Sequence, residues 1–402
     1  MKRRTLLATA AASGAVAALP AAAQTVVGVT ATEIKIGHTI AYSGNASGYG
    51  VIGKFHAAYW KMINDQGGVN GRKINFISYD DAYSPPKTVE QIRRLVEQDE
   101  VACLFNTLGT PTNSAIQKYV NQKKVPHLFV SSGADKWADP KNYPWTIGFQ
   151  PSYRVEAQIY AAYIKKNKPG AKVGVLYQND DFGKDYLLGL QDGFGKDFDK
   201  WVVKAQTYEP TDATIDSQAL TLHGAGADTL VTIAIPKFAA QMIRKVFDLS
   251  WKPLHLMTNV AISVGAVMQP AGPEKSIGLI SSTYLKDVTD PQWKADKGML
   301  EWRAFMTKNY PEGDQLDASN AFAYNAVLTM HQVLKQCGND LSRESIMRQA
   351  ANLKNLELPL SLPGILVNTS PTNFHPYAQL QLQRWTGSTW ALFGEIISSA
   401  PS

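Results

Sequence analysis

Residues 34–54 read IKIGHTIAYSGNASGYGVIGK. Ile34 to Ile40 read as the start of a buried strand. A Ser/Gly/Asn loop follows, and Gly48, Gly50 and Gly53 then stand in G-x-G-x-x-G order. That order marks a dinucleotide site only where the first glycine follows the strand at once, so that the helix N-terminus meets the pyrophosphate. Here eight positions separate Ile40 from Gly48. The acid expected about twenty positions further on is displaced to Asp80 and Asp81. The stretch reads instead as a loop whose backbone and hydroxyls face a cleft, with Tyr42 and Tyr49 as its aromatics. A plain surface turn is the alternative.

Working outward, short apolar strands alternate with amphipathic helices, the pattern of a parallel sheet covered by helices on both faces. KINFISY, VACLF, PHLFV and WTIGFQ continue the first set of strands, with helices over about 51–64 and 86–97 and in TNSAIQKYVNQ. A second set starts afresh at YRVEAQIYAAYIKKN and runs through KVGVLYQ, WVVKAQTY, DTLVTIAI and LHLMT. After Ser281 come two long helical segments, roughly 291–309 and 318–336, then a Pro-rich passage and the strands YAQLQLQRW and WALFGEI. The expected fold class is therefore α/β, with two doubly wound lobes. The chain is expected to cross between them near Phe149, Ser282 and Leu358, giving lobe I as 28–150 with 284–357 and lobe II as 151–283 with 358–402. Adjacent acids point apart on a strand, so Asp80-Asp81 and Asp180-Asp181 read as turn and capping residues rather than catalytic pairs.

The N-terminus reads as a cleaved export signal over residues 1–23. Lys2, Arg3 and Arg4 precede the apolar run Leu6–Leu19, and Ala21 and Ala23 fit a peptidase site. That run holds fourteen residues, short of the roughly twenty that span a bilayer. Arg3-Arg4 leaves both the general and the twin-arginine routes open. Removing the leader takes three charges from the formal +6 and leaves +3. No Lys/Arg stripe with interleaved aromatics appears, so nucleic acid is not expected as a partner. The seven histidines never stand three or four apart, and no metal or cofactor is expected. Cys103 and Cys337 read as free, buried thiols, with a bridge as the alternative.

IKIGHTIAYSGNASGYG, INDQGGVNGRKINFISYDDAYSPPK, VSSGA and QNDDFGKDY together resemble the branched-chain amino-acid-binding family, the type I periplasmic substrate-binding proteins of ABC importers. The resemblance runs from about Val29 to the C-terminus. It implies two α/β lobes joined by three crossovers that close on a small molecule without chemistry. It further implies a periplasmic, monomeric protein whose partners are the permease and ATPase subunits of an importer. Carried over residue by residue, it places Tyr42, Ser43 and Tyr49 in the first loop, and Leu108, Gly109 and Thr110 before a helix that receives a carboxylate. Ser131, Ser132 and Gly133 form the third loop. Phe182, Ile235, Pro236 and Asn259 come from the second lobe, and Asn320 opens the late helix.

The departures point to a ligand. Amino-acid binders of this kind carry an acid after LHLM to pair with the ligand's ammonium, and this chain has Thr-Asn-Val-Ala-Ile-Ser there. A buried, unpaired ammonium is costly. Gly109 and Ile235 stand where larger or more polar side chains are usual. The expected ligand is therefore a hydrophobic carboxylate without an amine, an aromatic acid of hydroxybenzoate or phenylpropenoate type. A branched-chain amino acid is the alternative. An exported hydrolase with Ser114 as nucleophile is a remote one, since no His is placed to serve it and no G-x-S-x-G is present.

Overall fold

The computed structural model describes residues 26–398; the expected leader lies outside them. The first half of the chain builds β1 (Glu33–Ile40), α1 (Gly50–Asp65), β2 (Lys73–Asp80), α2 (Pro85–Glu97), β3 (Cys103–Phe105), α3 (Thr110–Gln122), β4 (His127–Val130) and β5 (Thr146–Gly148). These strands form one parallel sheet in the order β2-β1-β3-β4-β5. The second set is α4 (Tyr153–Asn167), β6 (Val173–Gln178), α5 (Asp181–Phe194), the single turn α6 (Phe198–Trp201), β7 (Val202–Tyr208), α7 (Asp216–Gly224), β8 (Thr229–Ile233), α8 (Pro236–Asp248), β9 (Leu254–Met257), the short α9 (Gln269–Ala271) and β10 (Ile280–Thr283). The chain ends with α10 (Lys297–Asn309), α11 (Ala318–Cys337), α12 (Arg343–Ala350), β11 (Gln379–Trp385) and β12 (Trp390–Ser398). The second sheet runs β12-β11-β10-β9-β8-β6-β7. Its β6 to β10 are parallel, and β11 and β12 add an antiparallel edge.

Both sheets reverse their winding once, beside β1 and β3 in the first and beside β6 and β8 in the second. The loops leaving neighbouring strands diverge at such a point and open a crevice beyond the strand C-termini. The two crevices face each other. The chain passes from the first sheet to the second after Gly148, leaves the second after Thr283, and rejoins it at Gln379. A bridge between Leu285 and Ser361 ties the last two passages together.

The long helices after β10 return to the first sheet. Ile52, Phe55, Tyr59 and Ile63 form the buried stripe of α1, spaced as an amphipathic helix requires. Phe55 meets Phe305 of α10 with ring centroids 4.8 Å apart, and Tyr59 donates to or accepts from His331 of α11 at 2.8 Å. Helix α12 has no counterpart in the sequence reading, which passes from the helical segment 318–336 to a Pro-rich passage, and its Arg343 donates to the carbonyls of Val101 and Ala102. The expected strand WVVKAQTY starts one residue late, because Trp201 closes α6 and stacks on Phe194 at 5.2 Å. Cys103 and Cys337 are both free and buried. Among the described residues no helix is long and apolar enough to cross a membrane.

Candidate functional site

Between the two sheets lies a cavity of about 80 Å³, against the roughly 10–15 Å³ that one water needs on the same measure. Its floor in the first sheet is the segment that follows β3 and β4: Leu108, Gly109, Thr110 and Ser131. Facing it are Phe182 at the start of α5, Ile235 after β8 and Asn259 after β9. Tyr49, at the lip of α1, closes one side. These eight residues were expected at the cleft from sequence, and the structure brings them together around one space.

The other six sit elsewhere, each for a local reason. The Tyr42 hydroxyl bonds Ser78 Oγ at 2.6 Å and fills the space over Gly53, where a Cβ would come within 2.2 Å of it. The last glycine of the G-x-G-x-x-G stretch thus makes room for a tyrosine of this chain. Ser43 donates to Asp80 Oδ2 at 2.6 Å. Ser132 lies one layer behind Thr110, and Gly133 packs against Pro151 and the Tyr153 ring. Pro236 occupies the first turn of α8, where a missing N–H costs nothing. Asn320 is fully buried and donates to the Asp314 carbonyl at 2.8 Å, its Oδ1 without a partner among the described residues.

The polar end of the cavity is built to donate. Helix α3 starts at Thr110, and first-turn N–H groups have no partner within their own helix. Ser132 Oγ accepts from Trp137 Nε1 (2.8 Å) and from the Ala134 N–H (3.3 Å). With both lone pairs used, its hydrogen goes to Thr110 Oγ1, 2.7 Å away, and the Thr110 hydrogen is left for the cavity. Ser131 Oγ is buried with no partner among the described residues. Donors converging at a helix N-terminus form an anion site.

Six aromatic rings line the rest: Tyr49, Tyr83, Tyr153, Phe182, Tyr284 and Phe322. Tyr153 packs edge-on to Phe182, centroids 5.1 Å apart, and stacks on Tyr186 at 5.0 Å. Burial holds the Tyr49 and Tyr83 hydroxyls well above the usual phenol range, so both stay neutral donors. None of the lining residues is Asp, Glu, Lys, Arg or His. The space that glycine leaves at position 109 does not enlarge the ligand volume: a Cβ there would lie 2.5 Å from the Tyr83 ring, with φ at +96°. Tyr83 itself was missed from sequence. It stands at φ +58°, held by its N–H to Asp81 Oδ1 at 2.9 Å, so Asp81 serves the turn. Asp180 caps α5 through the Phe182 and Gly183 N–H groups.

The sequence gives no acid in the loop after β9, yet the structure supplies one from elsewhere. Glu156 of α4 is 0 % exposed and accepts the Asn259 backbone N–H at 2.8 Å and the Asn259 side-chain amide. Several contacts cross the cleft around the cavity. Tyr49 Oη donates to the Val260 carbonyl at 2.9 Å, Asn45 Nδ2 to the Pro210 carbonyl at 2.7 Å, and Lys136 pairs with Asp181 at 3.0 Å.

Two α/β lobes closed over a lined cavity at facing strand C-termini define a ligand-binding cleft. Residues 33–389 match the family model described as periplasmic binding protein, and the chain belongs to that family. Proteins of this family bind small ligands and deliver them to ABC-transporter permeases. The chain is 22% identical over 332 residues to Leu/Ile/Val-binding protein homolog 7 of Brucella suis biovar 1, covering 80% of this chain and 81% of the relative. Among the solved structures similar in fold are two that name a ligand. One is a branched chain amino acid ABC transporter from Thermus thermophilus with bound valine (TM-score 0.82, 16% identity, 92% of this chain and 97% of that one). The other is a fatty acid ABC transporter substrate-binding protein from Thermomonospora curvata (TM-score 0.79, 20% identity, 94% and 95%).

Proposed function

We propose that this chain is the extracytoplasmic, periplasmic binding component of an ABC importer and that it captures a hydrophobic monocarboxylate. An aromatic acid of hydroxybenzoate or phenylpropenoate type is the reading we favour. The lobes are 28–150 with 284–357 and 151–283 with 358–402, and they close on the ligand without turning it over. The observation that carries the ligand class is the cavity lining. It pairs six rings with the unpartnered Ser131 hydroxyl and with the Thr110 hydrogen that the Ser132 contact leaves over, and holds no ionised side chain. A carboxylate is met there by dipoles, and a flat ring gains from edge and offset contacts with the aromatic wall.

A branched-chain amino acid is the second reading. It is favoured by Glu156 behind Asn259 and by the relatives named for leucine, isoleucine and valine; the relative named for fatty acids favours an acid without an amine. A thermal-shift screen of both ligand classes, followed by calorimetry, separates them, because a ligand that binds only the native state raises the melting temperature by mass action. Aromatic acids should stabilise more than leucine or valine. Stabilisation by leucine or valine with none by aromatic acids overturns the favoured ligand and leaves the binding role intact.

A further inference from the structure

Glu156 is a fully buried carboxylate with no basic partner among the described residues. Four donors surround it instead. Oε1 faces the Tyr160 hydroxyl and the Asn259 N–H, and Oε2 faces the Tyr186 hydroxyl at 2.5 Å and Asn259 Nδ2. A carboxylate only accepts, so the Asn259 amide must turn its nitrogen to Glu156. Its Oδ1 lies on the opposite edge of a planar group that lines the cavity, and no donor among the described residues reaches it.

Resting on the proposed role of this cavity, we infer that Glu156 locks Asn259 as a hydrogen-bond acceptor and thereby makes this end of the site select a ligand that brings an O–H or N–H donor. Asn259 makes the contact; Glu156 is a positioning residue. The ligand is oriented as a consequence: its carboxylate lies at Thr110 and Ser131, and its donor end at Asn259. The lock survives protonation of Glu156. Tyr160 Oη also lies 2.7 Å from the Met257 carbonyl, so it can donate there and accept a proton carried on Oε1. Oε2 then still accepts from Asn259. Burial pushes the Glu156 carboxyl above its ordinary range.

Glu156→Gln tests the lock with almost no change of shape. The Asn259 backbone N–H cannot turn, so the glutamine keeps its oxygen there and presents Nε2 to the Asn259 side chain. Two facing donors force the Asn259 amide to flip, which puts Nδ2 toward the cavity. Two ligand pairs read this by calorimetry: 4-hydroxybenzoate against 4-methoxybenzoate, and leucine against 4-methylpentanoate. In the wild type the donor-bearing member of whichever pair binds should bind more tightly by about tenfold or more, the effect of leaving a buried acceptor unpaired. In Glu156→Gln that ratio should collapse. Equal wild-type affinities within the pair, or a variant that weakens both members alike, overturn the inference. Binding by the leucine pair alone removes the aromatic reading, and the leucine ratio then decides the inference by itself. The lock is also readable without ligand in 15N-labelled wild-type protein. The Asn259 side-chain amide, assigned by its loss in Asn259→Ala, should exchange slowly with water; exchange as fast as that of exposed asparagines overturns the lock.

Discussion

Tyr49→Phe isolates lobe closure from ligand contact. The Tyr49 ring lines the cavity at 8 % exposure, and its hydroxyl donates across the cleft to the Val260 carbonyl at 2.9 Å. Phenylalanine keeps the ring and deletes only that bond. Val260 is half-buried, so water replaces the lost donor once the cleft relaxes, and the net value of an ordinary hydrogen bond applies, about 0.5–1.5 kcal/mol. The bond joins the loop before α1 to the loop after β9, so its loss falls on the closed form. Affinity should drop roughly two- to tenfold by calorimetry, and by the same factor for every ligand in the series. The melting temperature of the ligand-free protein should stay put. Small-angle scattering at half-saturating ligand should show a less compact average. A lower ligand-free melting temperature with unchanged affinity would refute this, because the bond would then stabilise the fold and not its closure.

Thr110→Ala should weaken every carboxylate by about 1.5–3 kcal/mol, the usual value for a hydrogen bond to a charged group, while Thr110→Ser stays near wild type in the same titrations; selective loss of one acid argues against the carboxylate assignment. Asp81 is buried, and desolvation raises its carboxyl from 3.8 to about 6. The native state therefore holds that proton more tightly than the unfolded chain, and the stability this gives is complete below about pH 4 and lost as pH rises through about 6. Asp81→Asn should be the more stable protein at pH 8, by at most about 3 kcal/mol, and should converge on wild type below pH 4 in thermal melts; a constant offset across pH would contradict the shift. Burial pushes the Cys103 thiol up to about 12 and the Cys337 thiol up to about 11, so neither should react with a thiol reagent at pH 8 until the protein is unfolded. Dithiothreitol should not move the melting temperature.

Much of the fold was legible because its signals are local and periodic. Runs such as IKIGHTI and TLVTI are short, rich in β-branched residues and bounded by turn residues, which is the pattern of strands buried in a parallel sheet. A single restart of the strand–helix alternation, at YRVEAQIYAAYIKKN, announced a second sheet. Helix α12 escaped notice because its eight residues, RESIMRQA, are mostly polar. It is held through Ile346 and Met347 and through Arg343, which reaches back some 240 positions to the first sheet. No window along the chain contains that contact.

The site was half legible, and the division follows from how side chains leave a loop. Strand ends place Thr110, Ser131, Ile235 and Asn259 by register, and register survives in the sequence. Which of two nearby tyrosines faces the cavity does not: Tyr42 turns back to Ser78 because Gly53 leaves it room, while Tyr49 turns inward. Tyr83 enters through a left-handed backbone that its residue type disfavours, against a glycine 26 positions later whose φ is +96°.

Glu156 was missed for a different reason, and it was within reach. In YRVEAQIYAAYIKKN the residues Tyr153, Glu156, Ala157, Tyr160, Ala161 and Ile164 repeat at three- and four-residue steps and form the buried stripe of α4. An acid on that stripe is either paired, held by several donors, or neutral. Seeking the counter-charge only in the loop after β9 assumed that it must touch the ligand. Here the carboxylate acts through Asn259, one layer back, where it fixes an amide and leaves the cavity wall uncharged. The helical period of α4 carried that information, and the loop did not.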